Sequence, residues 1–288
     1  MNRLFRIGDF CFRLDCPDTL ALPANFAQFA VEQGTPDYTY TLTLTDALDA
    51  PCGDVIARRA DLVVCAGPDG ESRLLGIKGQ RQPYALYREL PGARAEVQLD
   101  AHRIADLNFD PVFTSLFALE RRLMERDALI LHCAYVVDGE QAILFSAPSE
   151  TGKSTQAGLW ERYRGSRTVN GDRALLRRVA GRWTACGWPV CGTSEICHLG
   201  DTPIRAIVML RQSKTNTVER LTGVAAFAPL FAQITVNRWN GAFVQRAITD
   251  LEDLMAAVPV YQLSCTISRQ AVDCLAQALG LPDGRTMP

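Results

Sequence analysis

Residues 146 to 155 read SAPSETGKST, a stretch that sets one lysine and five hydroxyl side chains around a single glycine. Positions Ala147 to Ser154 fit the pattern [AG]-x-x-x-x-G-K-[ST]. In such a loop, backbone N–H groups of a tight turn, backed by a helix N-terminus, surround phosphate oxygens with donors and positive dipole. Lys153 would then reach the β- and γ-phosphates, and Ser154 would offer its hydroxyl to Mg²⁺. Ser149, Glu150, Thr151, Gly152, Lys153, Ser154 and Thr155 form the expected nucleotide-binding stretch. Gly152 suits a point where a Cβ would obstruct the phosphate. Glu150 runs against the pattern, because a carboxylate beside a triphosphate is repulsive unless it points outward or faces metal. The plainer reading of the same residues is a helix N-cap after a turn, with Lys153 merely solvated.

A phosphate loop needs a strand before it and a helix after it. QAILFSA precedes it and KSTQAGLWERY follows, with Leu159 and Trp160 as packing residues, so the context matches. Two more chemically capable residues lie nearby. His132 sits on the apolar strand ALILHCAYVV, fifteen residues before Ala147, and Asp172 ends VNGD, nineteen residues after Lys153. By themselves these are a core histidine and a turn former.

The rest of the chain alternates strands and helices beyond residue 108. Short strands are expected in RTVNGD, ALLRRV and RWTAC, a buried strand over 203–212 and another over 259–265, with helices over 224–234, 241–257 and 268–280. NRWNG at 237–241 is a helix-start signal. GWPVCGTSEIC (187–197) reads as a glycine-bearing loop whose Thr193, Ser194 and Glu195 could face phosphate or substrate, or else as a plain connection. Arg173 could neutralise transferred charge, but is expected at a solvated strand edge.

The first hundred residues read as an antiparallel β-rich region, with strands over 4–14, 38–45, 54–66, 73–79, 84–90 and 94–100. At Asn108-Phe109-Asp110-Pro111 the character changes: Asp110 can cap and Pro111 can open a helix running to about Arg126. This divides the chain into a β-rich region, 1–107, and an α/β domain, 108–288.

Composition narrows the function classes. With 48% hydrophobic and 22% charged residues and a formal net charge of -2, there is no basic surplus for nucleic acid. The longest nearly apolar run, 128–137, is about half the roughly 20 residues of a membrane helix. The N-terminus lacks the continuous apolar core of a signal peptide, so a cytoplasmic location without membrane association is expected. The ten cysteines include no CxxC pair and read as reduced thiols. Cys186, Cys191, Cys197 and His198 are spaced too loosely for a structural zinc site.

These motifs together resemble the HPr kinase/phosphorylase family, whose catalytic domain shares its phosphate-loop architecture with phosphoenolpyruvate carboxykinases. The resemblance covers roughly residues 128–212 and rests on Leu131-His132, on the loop, and on Val169-Asn170-Gly171-Asp172. It implies an α/β P-loop fold, use of ATP or GTP with Mg²⁺, and a site in which His132 lies by the phosphates while Ser154 and Asp172 hold metal. It also implies Lys153, His132 and Asp172 as catalytic groups. The family carries paired aspartates, and here the first falls on Gly171, which leaves open whether Asp172 or His132 is the base. LHCAYVV, FSAPSETGKSTQAGLW, TVNGDRALLR, GWPVCGTSEIC, AIVMLRQ and VPVYQLSC look closer still to divergent members found with lasso-peptide and other peptide natural-product pathways.

That similarity implies a kinase for a serine of a peptide or protein partner, with homo-oligomeric assembly as is frequent in the family. A small-molecule hydroxyl as acceptor, and a nucleotide-gated peptide-binding module without transfer, are the alternatives.

Overall fold

Tyrosine and phenylalanine at alternate positions of the early strands must share one face, and that face builds the first core. In the computed structural model, which describes residues 1–282, Phe5, Phe12, Phe26, Tyr40, Phe113 and Phe117 are fully buried. Their rings pack at centroid separations of 4.8 to 6.2 Å, the range of favourable offset and edge-to-face pairs. The short helix α1 (Ala24–Ala27) falls between β2 and β3; the strands are β1 (Asn2–Ile7), β2 (Phe10–Asp15), β3 (Ala30–Val31), β4 (Tyr38–Thr45), β5 (Asp54–Arg59), β6 (Leu62–Gly67), β7 (Gly70–Leu75), β8 (Ala85–Leu90) and β9 (Arg94–Asp100). They form one sheet in the order β3-β1-β2-β4-β9-β8-β7-β6-β5.

Three expectations for this region are corrected. Residues 4–14 and 54–66 are each a hairpin, the first turning at Gly8 (φ 64°), because a φ > 0 residue breaks the strand. The sheet is mixed: β2–β4 and β4–β9 pair in parallel, and the β5–β8 meander supplies the long crossover that the second parallel pair requires. The helix expected to run to Arg126 is two, α2 (Asp110–Ser115) and α3 (Leu119–Met124), separated where Ala118 takes φ 46°. Pro111 stands in the first turn of α2 as expected, but the cap position falls on Phe109; Asp110 is the first helical residue, and its carboxylate accepts from Asn25 Nδ2 at 2.6 Å.

The chain divides into two units, Met1–Arg122 and a second beginning at Leu123. The expected boundary at 107/108 lies earlier, since Phe113 and Phe117 belong to the aromatic core of the first unit and Met124 to the core of the second. Positions 283–288 of the expected 108–288 domain lie outside the described residues.

The second unit is a sheet covered on both faces. Its strands are β10 (Leu129–Asp138), β11 (Gln141–Ser146), β12 (Arg167–Asn170), β13 (Arg173–Val179), β14 (Arg182–Cys186), β15 (Asp201–Gln212), β16 (Thr217–Leu221) and β17 (Val260–Cys265). Period-2 alternation sends Leu131, Cys133 and Tyr135 of β10 and Leu144 of β11 into one core, which α5 (Gly223–Phe231) and α6 (Gly241–Ala257) cover with Leu230, Leu251 and Leu254. Ala134, Val136, Ile143 and Phe145 go to the other, covered by α4 (Lys153–Arg164) and α7 (Arg269–Ala278). Asn240 caps α6 by accepting from Phe243 N at 3.1 Å, as the NRWNG signal predicts. Among the described residues, no helix is long and apolar enough to cross a membrane.

One strand organises the chemistry. β10 pairs with β13 through residues 129–132 and with β11 through 133–138. β12 continues the β13 edge along residues 135–137 and β11 takes the opposite edge from Cys133, opposite Ser146, so the fork, where β12 gives way to β13 and β11 ends, lies beside His132 and Cys133. The loop leaving β11 and the turn entering β13 both emerge at that fork. α4 is fastened beneath it by Trp160, fully buried and 5.8 Å from the Phe145 ring. Trp160→Ala should cost about 3–5 kcal/mol, read as a lowered urea midpoint; a change below about 1 kcal/mol would show that α4 is held by other contacts.

Candidate functional site

At the fork, residues far apart in the chain line one cavity of about 480 Å³, a size suited to a cofactor or drug-sized ligand. Its walls include His132 from β10, Ser149, Glu150, Gly152, Lys153, Ser154 and Thr155 from the loop and first turn of α4, and Asp172 from the turn before β13. Thr151 is the one expected nucleotide-binding residue not among the lining; its carbonyl accepts from Gln212 Nε2 at 3.4 Å.

The loop is held by its own lysine. Lys153 is buried and donates to the carbonyls of Ala147 at 3.1 Å and Pro148 at 3.3 Å. Burial lowers its pKa from the ordinary lysine value, with the Asp172 carboxylate pulling the other way. Gly152 adopts φ 114° as the residue before α4, a conformation that glycine takes without strain. Glu150, the residue out of pattern, also has φ 65°, and its side chain is exposed. A non-glycine residue there costs roughly 1–2 kcal/mol.

His132 and Asp172 face one another, Nε2 to Oδ1 at 3.5 Å. The other ring nitrogen lies 3.1 Å from Gln233 Oε1, and the backbone N–H of His132 donates to Gln233 O at 3.0 Å. The histidine is thus fixed at both ends. Burial acts to raise the Asp172 pKa, but the hydrogen bond from His132 and the charges of Arg173, His132 and Lys153 outweigh it and hold the carboxyl below its usual value. Arg173 is not a solvated edge residue: Nε donates to Asp172 Oδ2 at 3.2 Å and Nη1 to Thr235 Oγ1 at 3.0 Å.

Sequence reasoning missed Asn170, the residue that ties the site together. It is fully buried and uses its whole amide: Nδ2 donates to Trp188 O at 2.8 Å and Val190 O at 3.1 Å, while Oδ1 accepts from Asp172 N and Arg173 N, both at 2.9 Å. In VNGD it reads as half of an Asn-Gly turn, and nothing local reveals that its partners lie twenty residues away.

The 187–197 loop does reach the cavity. Cys191, Gly192, Thr193 and Ser194 line it, whereas Glu195 is exposed and does not. The loop is pinned to β12 by Gly171 N→Ile196 O at 3.3 Å and His198 N→Val169 O at 2.9 Å. Gly171, where the resemblance places the first of the paired aspartates, has no room for a side chain: a Cβ there would stand 2.1 Å from Ser194 Oγ. Cys186, Cys191 and Cys197 are buried, and among the described residues no three His, Cys, Asp or Glu gather to hold a metal ion.

Gly171→Ala should therefore destabilise the protein by about 1–3 kcal/mol through overpacking, and Ser194→Gly should restore most of that loss. Thermal unfolding of both single variants and the double variant measures the coupling; purely additive changes would mean that the two residues do not share this space.

No family model matches the chain, and no curated protein matches it. Among solved structures, the HPr(Ser) kinase/phosphatase from Coxiella burnetii is similar at 11% identity, over 52% of this chain and 87% of that chain, with a TM-score of 0.32. That likeness bears on neither the site nor the reaction.

Proposed function

We propose that the chain is a nucleotide- and Mg²⁺-dependent kinase that transfers the γ-phosphoryl group of ATP or GTP to a serine hydroxyl of a peptide or protein. The observation that carries this reading is the shared cavity. Lys153 and Ser154 line it together with His132 and Asp172, in a loop set between a buried strand and a helix. Phosphoryl transfer asks for positioning and charge neutralisation more than for covalent chemistry, and these residue types supply both.

The α4 N-terminus and the N–H groups around Gly152 would receive the phosphates. Lys153 would exchange the loop carbonyls for phosphate oxygens, a trade in which its charge gains a stronger partner. Magnesium, when bound, neutralises β- and γ-phosphate charge, and it commonly takes only one or two carboxylates alongside phosphate oxygens. The Ser154 hydroxyl and Asp172 carboxylate are hard oxygen donors of that kind. In this reading the Asp172 carboxylate takes the acceptor proton, and His132, whose Nε2 faces it at 3.5 Å, orients it. The acceptor hydroxyl would enter on the Asp172 side, opposite the loop. A tailoring role on a precursor peptide, as in the lasso-peptide group, is one form of this reading.

Transfer is to be measured with Mg²⁺ and labelled ATP or GTP, against serine peptides on one side and sugars and polyols on the other. Lys153→Ala and Asp172→Asn should each lower transfer by about 10²–10³-fold. Wild-type protein that neither binds nor turns over nucleotide would overturn the reading, and transfer confined to polyols would replace the peptide acceptor. Activity needs Asp172 ionised and Lys153 charged. The acid limb of the rate profile should therefore fall below about pH 3.9, as far as the fold survives, and the alkaline limb should begin below about pH 10.4. Glu150→Gln keeps the strained backbone but removes the charge. If the carboxylate opposes phosphate, nucleotide affinity should rise about fivefold, equivalent to about 1 kcal/mol; a drop would instead assign Glu150 to the metal.

A further inference from the structure

The position beside Asp172 on the acceptor side of the cavity is already held by a serine of the chain itself. Ser194 lines the cavity with Lys153, Ser154 and Asp172. Its Oγ lies against the backbone of the residue preceding Asp172, so close that only glycine at position 171 admits it. Gly192 brings the same loop onto the carboxylate. A Cβ on it would stand 3.0 Å from Asp172 Cγ and Oδ1, and its φ of 58° is free to a glycine. Glu195, with φ 56°, turns the chain away again immediately after Ser194. Two left-handed residues thus bracket Thr193-Ser194 and fold the pair inward, an arrangement costing strain at Glu195 that a plain connection would avoid. The loop stays in place because Asn170 grips Trp188 O and Val190 O before it, while Gly171 and Val169 pair with Ile196 and His198 after it.

We propose that Ser194 is itself a phosphate acceptor, modified in cis by the cavity it lines. The inference rests on the kinase reading above. In the step, Ser194 Oγ forms a bond to the γ-phosphorus of the nucleoside triphosphate while the bond from that phosphorus to the β–γ bridging oxygen breaks. The nucleoside diphosphate leaves with the electron pair, and the hydroxyl proton passes to the Asp172 carboxylate. In the free protein Ser194 Oγ donates to Cys191 O at 2.6 Å and accepts from Ile196 N at 3.3 Å, so turning about its single side-chain torsion must release both hydrogen bonds. The product cannot stay where the hydroxyl was. A phosphate carrying about −1.5 to −2 charge would meet the ionised Asp172 in a space already closed against Gly171, so modification expels the loop and opens that side to a substrate hydroxyl.

The test incubates purified protein with Mg²⁺ and ATP or GTP and maps phosphate by peptide mass spectrometry, with nucleotide binding and hydrolysis followed in parallel. The expected result is one phosphate per chain on Ser194, formed at a first-order rate independent of protein concentration. Ser194→Ala should abolish it while still binding nucleotide, and circular dichroism checks that this variant is folded. Nucleotide bound or hydrolysed with Ser194 unmodified would overturn the inference and leave the kinase reading standing. Phosphate on Thr193 instead, or a rate that rises with protein concentration, would also overturn it. Absence of any nucleotide binding would remove both.

Discussion

Everything at the candidate site depends on one strand changing neighbours. Backbone N–H and C=O groups in a buried sheet must be paired, and β10 meets that demand with β13 and then β12 on one edge, and with residues 233–235 and then β11 on the other, both exchanges falling beside His132 and Cys133. Where a strand exchanges its partners a wedge opens, and chain segments entering or leaving there are brought together whatever their sequence distance. The backbone closes the wedge with Cys133 N donating to Asp172 O at 2.9 Å, and Ser146 Oγ donating to His132 O at 2.8 Å. His132, the loop after Ser146 and Asp172 are neighbours because of this pairing pattern.

Two further groups turn the wedge into a shaped cavity. Asn170, with every amide donor and acceptor used in the interior, holds the 187–191 segment against the Asp172 turn; a buried amide is stabilising only when so satisfied. Lys153 closes the opposite wall by folding onto the carbonyls of Ala147 and Pro148. Both are buried polar groups, whose burial is tolerated because each keeps its hydrogen-bond partners.

Much of the second unit was legible residue by residue. The apolar runs of β10 and β11 read as strands of the α/β domain, and NRWNG marked the start of α6, where Asn240 does cap. The first unit was less so. Residues 4–14 and 54–66 carry alternation through their turns, which hides a hairpin, and parallel pairing of β2 with β4 depends on contacts that no local pattern encodes. The break between α2 and α3 likewise falls at Ala118, a good helix former, because the Phe113 and Phe117 rings must both reach the aromatic cluster.

By itself the sequence determined the strand–loop–helix unit around Gly152-Lys153-Ser154 and the residue types at 132 and 172, since these follow from periodicity and side-chain chemistry within short windows. Only the tertiary structure decided that Arg173 is locked onto Asp172 and Thr235, and that Glu150 stands in a left-handed turn with its side chain exposed. It alone decided that the space beside Gly171 belongs to Ser194. Those outcomes depend on which distant segment arrives at a given point, and that is set by sheet pairing and packing across the whole unit.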